Sequence, residues 1–215
     1  MRLSAETLRL YAVTDRTWLN GRTLADCVRM SISGGATMIQ LREKSLGYEA
    51  FKSQALEIQS ICRENHIPFI INDNVNLAVD VNADGVHVGQ DDMNAVNVRE
   101  IIGPEKILGV SVRTVEEAIL AERNGADYLG AGAVFHTGSK SDAVDITHSA
   151  LREICGAVKI PVVAIGGINA GNINMLAGTG IDGVAVISAI FAQDDIQRAS
   201  RELFTLSEKF FGHDA

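Results

Sequence analysis

The feature that most constrains this chain is an alternation carried along its whole length. Short aliphatic runs, bounded by Gly, Asp or Asn, alternate with longer stretches of helical period. Eight runs read as strands: Leu10–Thr14, Met38–Arg42, Phe69–Asn72, Gly85–Val88, Ile107–Val112, Tyr128–Ala133, Val162–Ile165 and Gly183–Ile187. Runs this short and this apolar suit a parallel sheet covered on both faces, where no side of the strand meets water. Helical segments lie between them. Thr23–Ser33 opens on a capping Thr and stops before Gly34-Gly35. Thr114–Arg123 opens on a capping box, Thr114 with Glu117 three residues on. Tyr48–Glu64, Ser149–Gly156, Asn172–Gly178 and Asp195–Phe210 complete the set.

The junctions from helix to strand also echo one another. Gly34-Gly35-Ala36, Val81-Asn82-Ala83-Asp84-Gly85, Asn124-Gly125-Ala126-Asp127 and Gly178-Thr179-Gly180-Ile181-Asp182-Gly183 share small and acidic residues. They read as recurring αβ-loop chemistry. Eight βα units in 215 residues fit a closed (β/α)8 barrel of the TIM type. Without a linker or a break in composition, residues 1–215 read as a single domain. An open doubly wound sheet is the architectural alternative, but no Gly-x-Gly-x-x-Gly opens the first βα turn, which removes its dinucleotide-binding form.

Composition narrows the partners. A net charge of −8 argues against a general phosphate-backbone binder, and 5% aromatic residues argue against base-stacking platforms, so no nucleic acid is expected. No run approaches the ~18 apolar residues of a membrane span. Cys27, Cys62 and Cys155 are odd in number and widely spaced, as expected of buried free thiols in a reducing compartment. The segment Met1–Arg9 has no apolar core of a secretory signal. A cytoplasmic protein is therefore expected. Homo-oligomerisation is left open.

In a (β/α)8 barrel the active site sits where the strands end, and the unusual polar residues of this chain fall there. Gln40, Arg42 and Lys44 follow an i, i+2, i+4 spacing that places them on one side of an extended strand, where they converge on an anion if that side faces the barrel axis. A surface ion pair with Glu43 is the other reading. Asp73 and Asp92 stand just past two adjacent strands and suit a hard cation such as Mg²⁺, which needs one or two carboxylates beside substrate phosphates and water. Capping of the following helices is the alternative, and Asp91 is poorly separated from Asp92 on these grounds. Gly166-Gly167-Ile168 and Ile187-Ser188 close the last two strands, where barrels commonly bind phosphate through backbone N–H groups. The loop from Phe135 to Thr147, with Thr137, Gly138, Ser139 and Lys140, is long enough to close over a ligand. His87, between Val86 and Val88, reads as a satisfied interior histidine without a catalytic role.

The motifs taken together resemble the thiamine-phosphate synthase family, also called thiamine-phosphate pyrophosphorylase. They are Tyr11-Ala12-Val13-Thr14-Asp15, Gln40-Leu41-Arg42-Glu43-Lys44, Ile71-Asn72-Asp73, Asp84-Gly85-Val86-His87-Val88-Gly89-Gln90-Asp91-Asp92, Gly109-Val110-Ser111, Gly130-Ala131-Gly132-Ala133-Val134-Phe135, Gly166-Gly167-Ile168 and Val186-Ile187-Ser188-Ala189-Ile190. The resemblance implies transfer of a hydroxymethylpyrimidine from its diphosphate to a thiazole phosphate, by departure of pyrophosphate before attack of the thiazole nitrogen. It implies that Gln40, Arg42, Lys44 and Asn72 hold the pyrimidine diphosphate and that Ser111 contacts it. It implies Mg²⁺ on Asp73 and Asp92, and Lys140 against the leaving group. It implies that Thr137, Ser139, Gly167, Ile187 and Ser188 hold the thiazole phosphate. Where the family's loop reads Pro-Thr-x-Thr-Lys, this chain has His136-Thr137-Gly138-Ser139-Lys140.

Three alternatives share the scaffold. A related thiazole phosphate tautomerase needs neither pyrophosphate nor Mg²⁺, and so has no need of Asp73, Asp92, Ser139 and Lys140. A non-catalytic phosphate-ligand sensor keeps the Gly166-Gly167 pocket but can lose the cations of the second strand. An unrelated phosphosugar isomerase is also compatible, because fold alone does not fix function.

Overall fold

The computed structural model describes residues 3–90, 92–136 and 146–212. Eight parallel strands close on one another in chain order, β1 pairing with β2 and so on until β8 returns to β1. They are β1 (Leu10–Val13), β2 (Met38–Leu41), β3 (Phe69–Asn72), β4 (Gly85–Val88), β5 (Ile107–Val112), β6 (Tyr128–Gly132), β7 (Val162–Ile165) and β8 (Gly183–Val186). The helices are α1 (Leu24–Ser33), α2 (Tyr48–Glu64), α3 (Val75–Asp80), α4 (Ala95–Ile102), α5 (Val115–Arg123), α6 (His148–Ala157), α7 (Ser188–Phe191) and α8 (Ile196–Phe211). The expected closed (β/α)8 barrel is the fold observed.

Two hydrophobic layers hold it. The larger lies between strands and helices and contains Ile39, Ile71, Val86, Leu108, Leu129 and Val184, all fully buried. The smaller fills the barrel interior and contains Leu8, Tyr11, Met38, Ile70, Ile107, Tyr128 and Val163. Alternate residues of each strand enter the two layers, as the period of two along a strand requires. The thiols of Cys27 and Cys62 are buried in the outer layer and unpaired, as read from the sequence; Cys155 is partly buried.

Several expectations are corrected. Short helices α3 and α4 follow β3 and β4, where the sequence reading gave no helical range, and each opens on an Asn side chain: Asn74 accepts from the Leu77 N–H and Asn94 from the Val96 N–H. Residues 172–178 do not form an α-helix; a single 3₁₀ turn, Ile173–Leu176, stands there. Strand β2 ends at Leu41, so Lys44 belongs to the loop beyond it and is exposed. No helix among the described residues is long and apolar enough to cross a membrane.

Candidate functional site

A cavity of about 290 Å³ opens where the strands end. Its lining divides by strand order. Strands β2 to β5 and the loops after them contribute Gln40, Arg42, Asn72, Asp73, His87, Gln90, Asp92, Ser111 and Arg113. Strands β6 to β8 contribute Gly130, Gly132, Val163, Ile165, Gly166, Gly167, Ala185, Ile187 and Ser188, which are mostly apolar side chains and bare backbone. The cavity therefore has one charged side and one apolar side.

On the charged side, local structure decides which residues face the ligand. Thr14 is fully buried, and its hydroxyl accepts from the Arg42 N–H at 3.0 Å. That bond anchors Arg42 as the chain leaves β2. Its guanidinium pairs with Asp15 at 3.3 Å. Glu43 pairs with Arg16 instead, and its other oxygen accepts from the Lys44 and Ser45 N–H groups. Glu43, its side chain only 4% exposed, thus pairs with neither Arg42 nor Lys44, so the surface-pair reading does not hold, and Arg42 lines the cavity. Lys44 does not line it.

The two aspartates are not helix caps. Asn74 and Asn94 cap α3 and α4, which leaves Asp73 and Asp92 to the cavity wall. Asp73 adopts a left-handed backbone, φ 61°, a conformation Asp tolerates better than most residues and one that concentrates at functional sites. Its carboxylate accepts from the Asn72 side chain. Asp92 accepts from the Gly89 N–H at 2.7 Å, which folds the loop after β4 back on itself. Among the described residues no cluster of three or more metal-ligating side chains occurs. Two carboxylates on one wall still match a hard cation whose remaining positions are filled by phosphate and water.

Arg113 was given no role by sequence reasoning. Its backbone N–H is held by the Glu117 carboxylate at 2.6 Å, and its half-buried side chain lines the cavity without an acidic partner among the described residues. Gln90 was also missed. It donates to the Ser111 carbonyl at 2.6 Å and braces the loop after β4 against β5. Both lie within two residues of a site residue named from the sequence, and that adjacency was the available signal.

On the apolar side, Gly166 and Gly167 have φ of 104° and 63°, and added Cβ atoms would stand 2.5 Å from the Ala133 Cβ and the His136 carbonyl oxygen. Only glycine fits these positions. Helix α7 begins directly at Ser188, with Ile187 at its cap position making no side-chain hydrogen bond. The structure thus brings Gln40, Arg42, Asn72, Asp73, Asp92, Ser111, Gly167, Ile187 and Ser188 to one cavity. Thr137, Ser139 and Lys140, like Asp91, lie outside the described residues.

Comparison with known proteins agrees with this architecture and extends over nearly all of it. Residues 10–190 match the family described as thiamine monophosphate synthase. The chain is 48% identical over 196 residues to a thiamine-phosphate synthase of Clostridium novyi, covering 91% of this chain and 96% of that one. It is 51% identical over 194 residues to one of Clostridium tetani, covering 90% and 93%. A solved thiamine phosphate pyrophosphorylase from Pyrococcus furiosus superposes with a TM-score of 0.89 at 42% identity, covering 97% of this chain and 99% of that one. The match runs from the first strand through the short helix after the last, across every strand end that builds the cavity, and on that breadth the chain belongs to the thiamine monophosphate synthase family.

Proposed function

We propose that this enzyme condenses 4-amino-2-methyl-5-hydroxymethylpyrimidine diphosphate with 4-methyl-5-(2-phosphoethyl)thiazole, or with its carboxylate, giving thiamine phosphate and pyrophosphate, and carbon dioxide as well where the carboxylate is the substrate. The observation that carries the reading is the two-sided cavity. A diphosphate needs cations and polar donors, as the β2–β5 side offers. A thiazole phosphate needs an apolar wall for its ring and closely approaching backbone for its phosphate, as the β6–β8 side offers.

In this reaction the bond between the pyrimidine methylene carbon and the diphosphate oxygen breaks and takes its electron pair to pyrophosphate. The thiazole nitrogen then bonds to the methylene carbon. The sequence of steps is dissociative, so the protein positions two ligands and stabilises charge on the leaving group, with little proton transfer. Arg42, Asn72 and Ser111 hold the diphosphate, with Lys44 assigned to it and Lys140 to its leaving group by resemblance alone. Gln40 orients the pyrimidine diphosphate. Gly167, Ile187 and Ser188, with Thr137 and Ser139, hold the thiazole phosphate. Asp73 and Asp92 would hold Mg²⁺, which when bound supplies positive charge against the departing pyrophosphate.

The test is to mix the two substrates with Mg²⁺ and assay thiamine phosphate and pyrophosphate, with and without chelator. Formation of both products, lost on chelation, is the expected result. Isomerisation of the thiazole phosphate alone, without diphosphate or metal, would establish the tautomerase reading instead.

A further inference from the structure

A hydrogen-bonded chain of side chains crosses the barrel interior beneath the cavity, and five strands supply one member each. Gln40 Nε2 on β2 donates to the Tyr11 hydroxyl on β1 at 2.6 Å. The Tyr11 and Tyr128 hydroxyls meet at 2.8 Å, joining β1 to β6 across the interior. The Tyr128 hydroxyl reaches His87 Nδ1 on β4 at 2.9 Å. His87 Nε2 reaches Ser111 Oγ on β5 at 2.9 Å. Tyr11 and Tyr128 are about fully buried, and Tyr128 does not line the cavity.

The space for this chain is built into the sequence. Gly109 sits in register between His87 and Tyr128. A Cβ there would stand 2.2 Å from the Tyr128 ring and 2.4 Å from His87 Nδ1, so a side chain at 109 would displace the two groups that now bond. Burial pushes both phenols well above their usual pKa, so each keeps one proton to donate.

With Gln40 as the donor to Tyr11 and a neutral His87, proton counting gives each link one polarity. The Tyr11 oxygen accepts from Gln40, so its single proton goes to Tyr128. Tyr128 accepts from Tyr11, so its proton goes to His87 Nδ1. A neutral imidazole that accepts at Nδ1 carries its hydrogen on Nε2. Nε2–H then donates to Ser111 Oγ, and the serine's own proton is left for the cavity.

We propose that this chain is a positioning device, with Tyr128 fixing His87 as the Nε2–H tautomer so that Ser111 donates its hydrogen toward the bound ligand. Resting on the synthase reading for what Ser111 meets, the ligand atom is a diphosphate oxygen gaining negative charge as it leaves. A serine turned the other way, with its proton held by His87, would present only lone pairs to that oxygen. The gain from the device thus falls on the rate rather than on substrate affinity.

The test has a structural arm and a kinetic arm. Two-bond ¹⁵N–¹H correlation spectra of the ¹⁵N-histidine-labelled full chain report each ring's tautomer, with His87→Gln identifying the resonance among the five histidines. The expected pattern is a protonated Nε2 and an unprotonated Nδ1 in the wild type, and a mixture of tautomers in Tyr128→Phe. In the kinetic arm Tyr128→Phe lowers kcat about tenfold with little change in KM, and causes no further loss when Ser111 is already Ala. If Tyr128→Phe does not fold, the tautomer read from the wild-type spectrum decides the proposal alone. A wild-type His87 with its proton on Nδ1, or with both nitrogens protonated, overturns the proposal. So does an equal loss from Tyr128→Phe in the wild-type and Ser111→Ala backgrounds. If the expected tautomer is found but no thiamine phosphate forms, the synthase reading fails and the positioning chain stands.

Discussion

At the rim where the strands begin, Asp84, Asp127 and Asp182 each accept, through Oδ2, from a backbone N–H of the neighbouring strand, those of Phe69, Leu108 and Val162. Each donates its own N–H back to the carbonyl of the same residue. At the rim where the strands end, Asp73 and Asp92 line a cavity instead. The arginines divide in the same way. Arg9 and Arg99, near the first rim, bond carbonyls and pair with Glu208 and Asp127. Arg113, at the second rim, lines the cavity. Residue type is the same at both rims, and the difference lies in what completes the polar groups. Internal partners make a rim that holds the barrel shut; on the proposed function, the other rim also meets a ligand.

The comparison breaks most sharply at Asp92. Asp92→Asn keeps the size of the side chain and an oxygen for the Gly89 N–H, but removes the charge. Turnover is expected to fall on the order of 10³-fold, with stability unchanged within about 0.5 kcal/mol. Calorimetric titration of Mg²⁺ in the presence of pyrophosphate should show weakened binding. A large fall in melting temperature would place Asp92 with the structural rim.

Arg9 is the converse. Its side chain is 4% exposed and bonds Glu208 and the carbonyls of Asp182 and Phe211, tying β1 to the loop before β8 and to the last helix. Arg9→Ala leaves those carbonyls unsatisfied and is expected to cost about 2–4 kcal/mol in urea unfolding. Activity per folded molecule should be unchanged. A loss of kcat at full folding would show that the two rims are coupled.

How much of this was legible in the sequence follows from which forces act locally. All eight strands were placed to within one residue, because each is a buried apolar run with a polar break at either end. The short helices α3 and α4 were given no range because six and eight residues give a period too little length to register. Arg42 was found but Lys44 was misplaced. The spacing rule assumed that the strand continued, whereas the Thr14 hydroxyl takes the Arg42 N–H and ends it. The bond between Tyr11 and Tyr128 joins residues 117 apart through a closed interior, and nothing near either one announces it. The echoing Asp-containing junctions were visible as loop chemistry. Their reciprocal bonding with the adjacent strand needed the register.

Arg113 sharpens the comparison at intermediate scale. A cavity-lining arginine with no acidic partner among the described residues costs little stability to remove. Its charge is available to an anionic ligand. Arg113→Ala is expected to raise KM for the diphosphate substrate about tenfold, with stability unchanged. Arg113→Lys should recover part of the loss. An unchanged KM in Arg113→Ala would assign the arginine to solvent.

The smallest expected effect lies at Asp84, and it tests whether the first rim is only structural. Strand β4 has four residues, so roughly 13 Å of chain separates Asp84 from the loop that carries Asp92. Asp84→Ala removes the acceptor for the Phe69 N–H at 2.9 Å while leaving its reciprocal backbone bond in place. Phe69 is fully buried, so water reaches that N–H poorly, and a cost of about 1 kcal/mol is expected. Asp84→Asn keeps an oxygen that can take the same bond and should lose less than half as much. Neither variant should change kcat or KM measurably. If Asp84→Ala slows turnover while Asp84→Asn does not, the hydrogen bond at the start of β4 reaches the geometry at its end, and the division between a holding rim and a working rim fails along that strand.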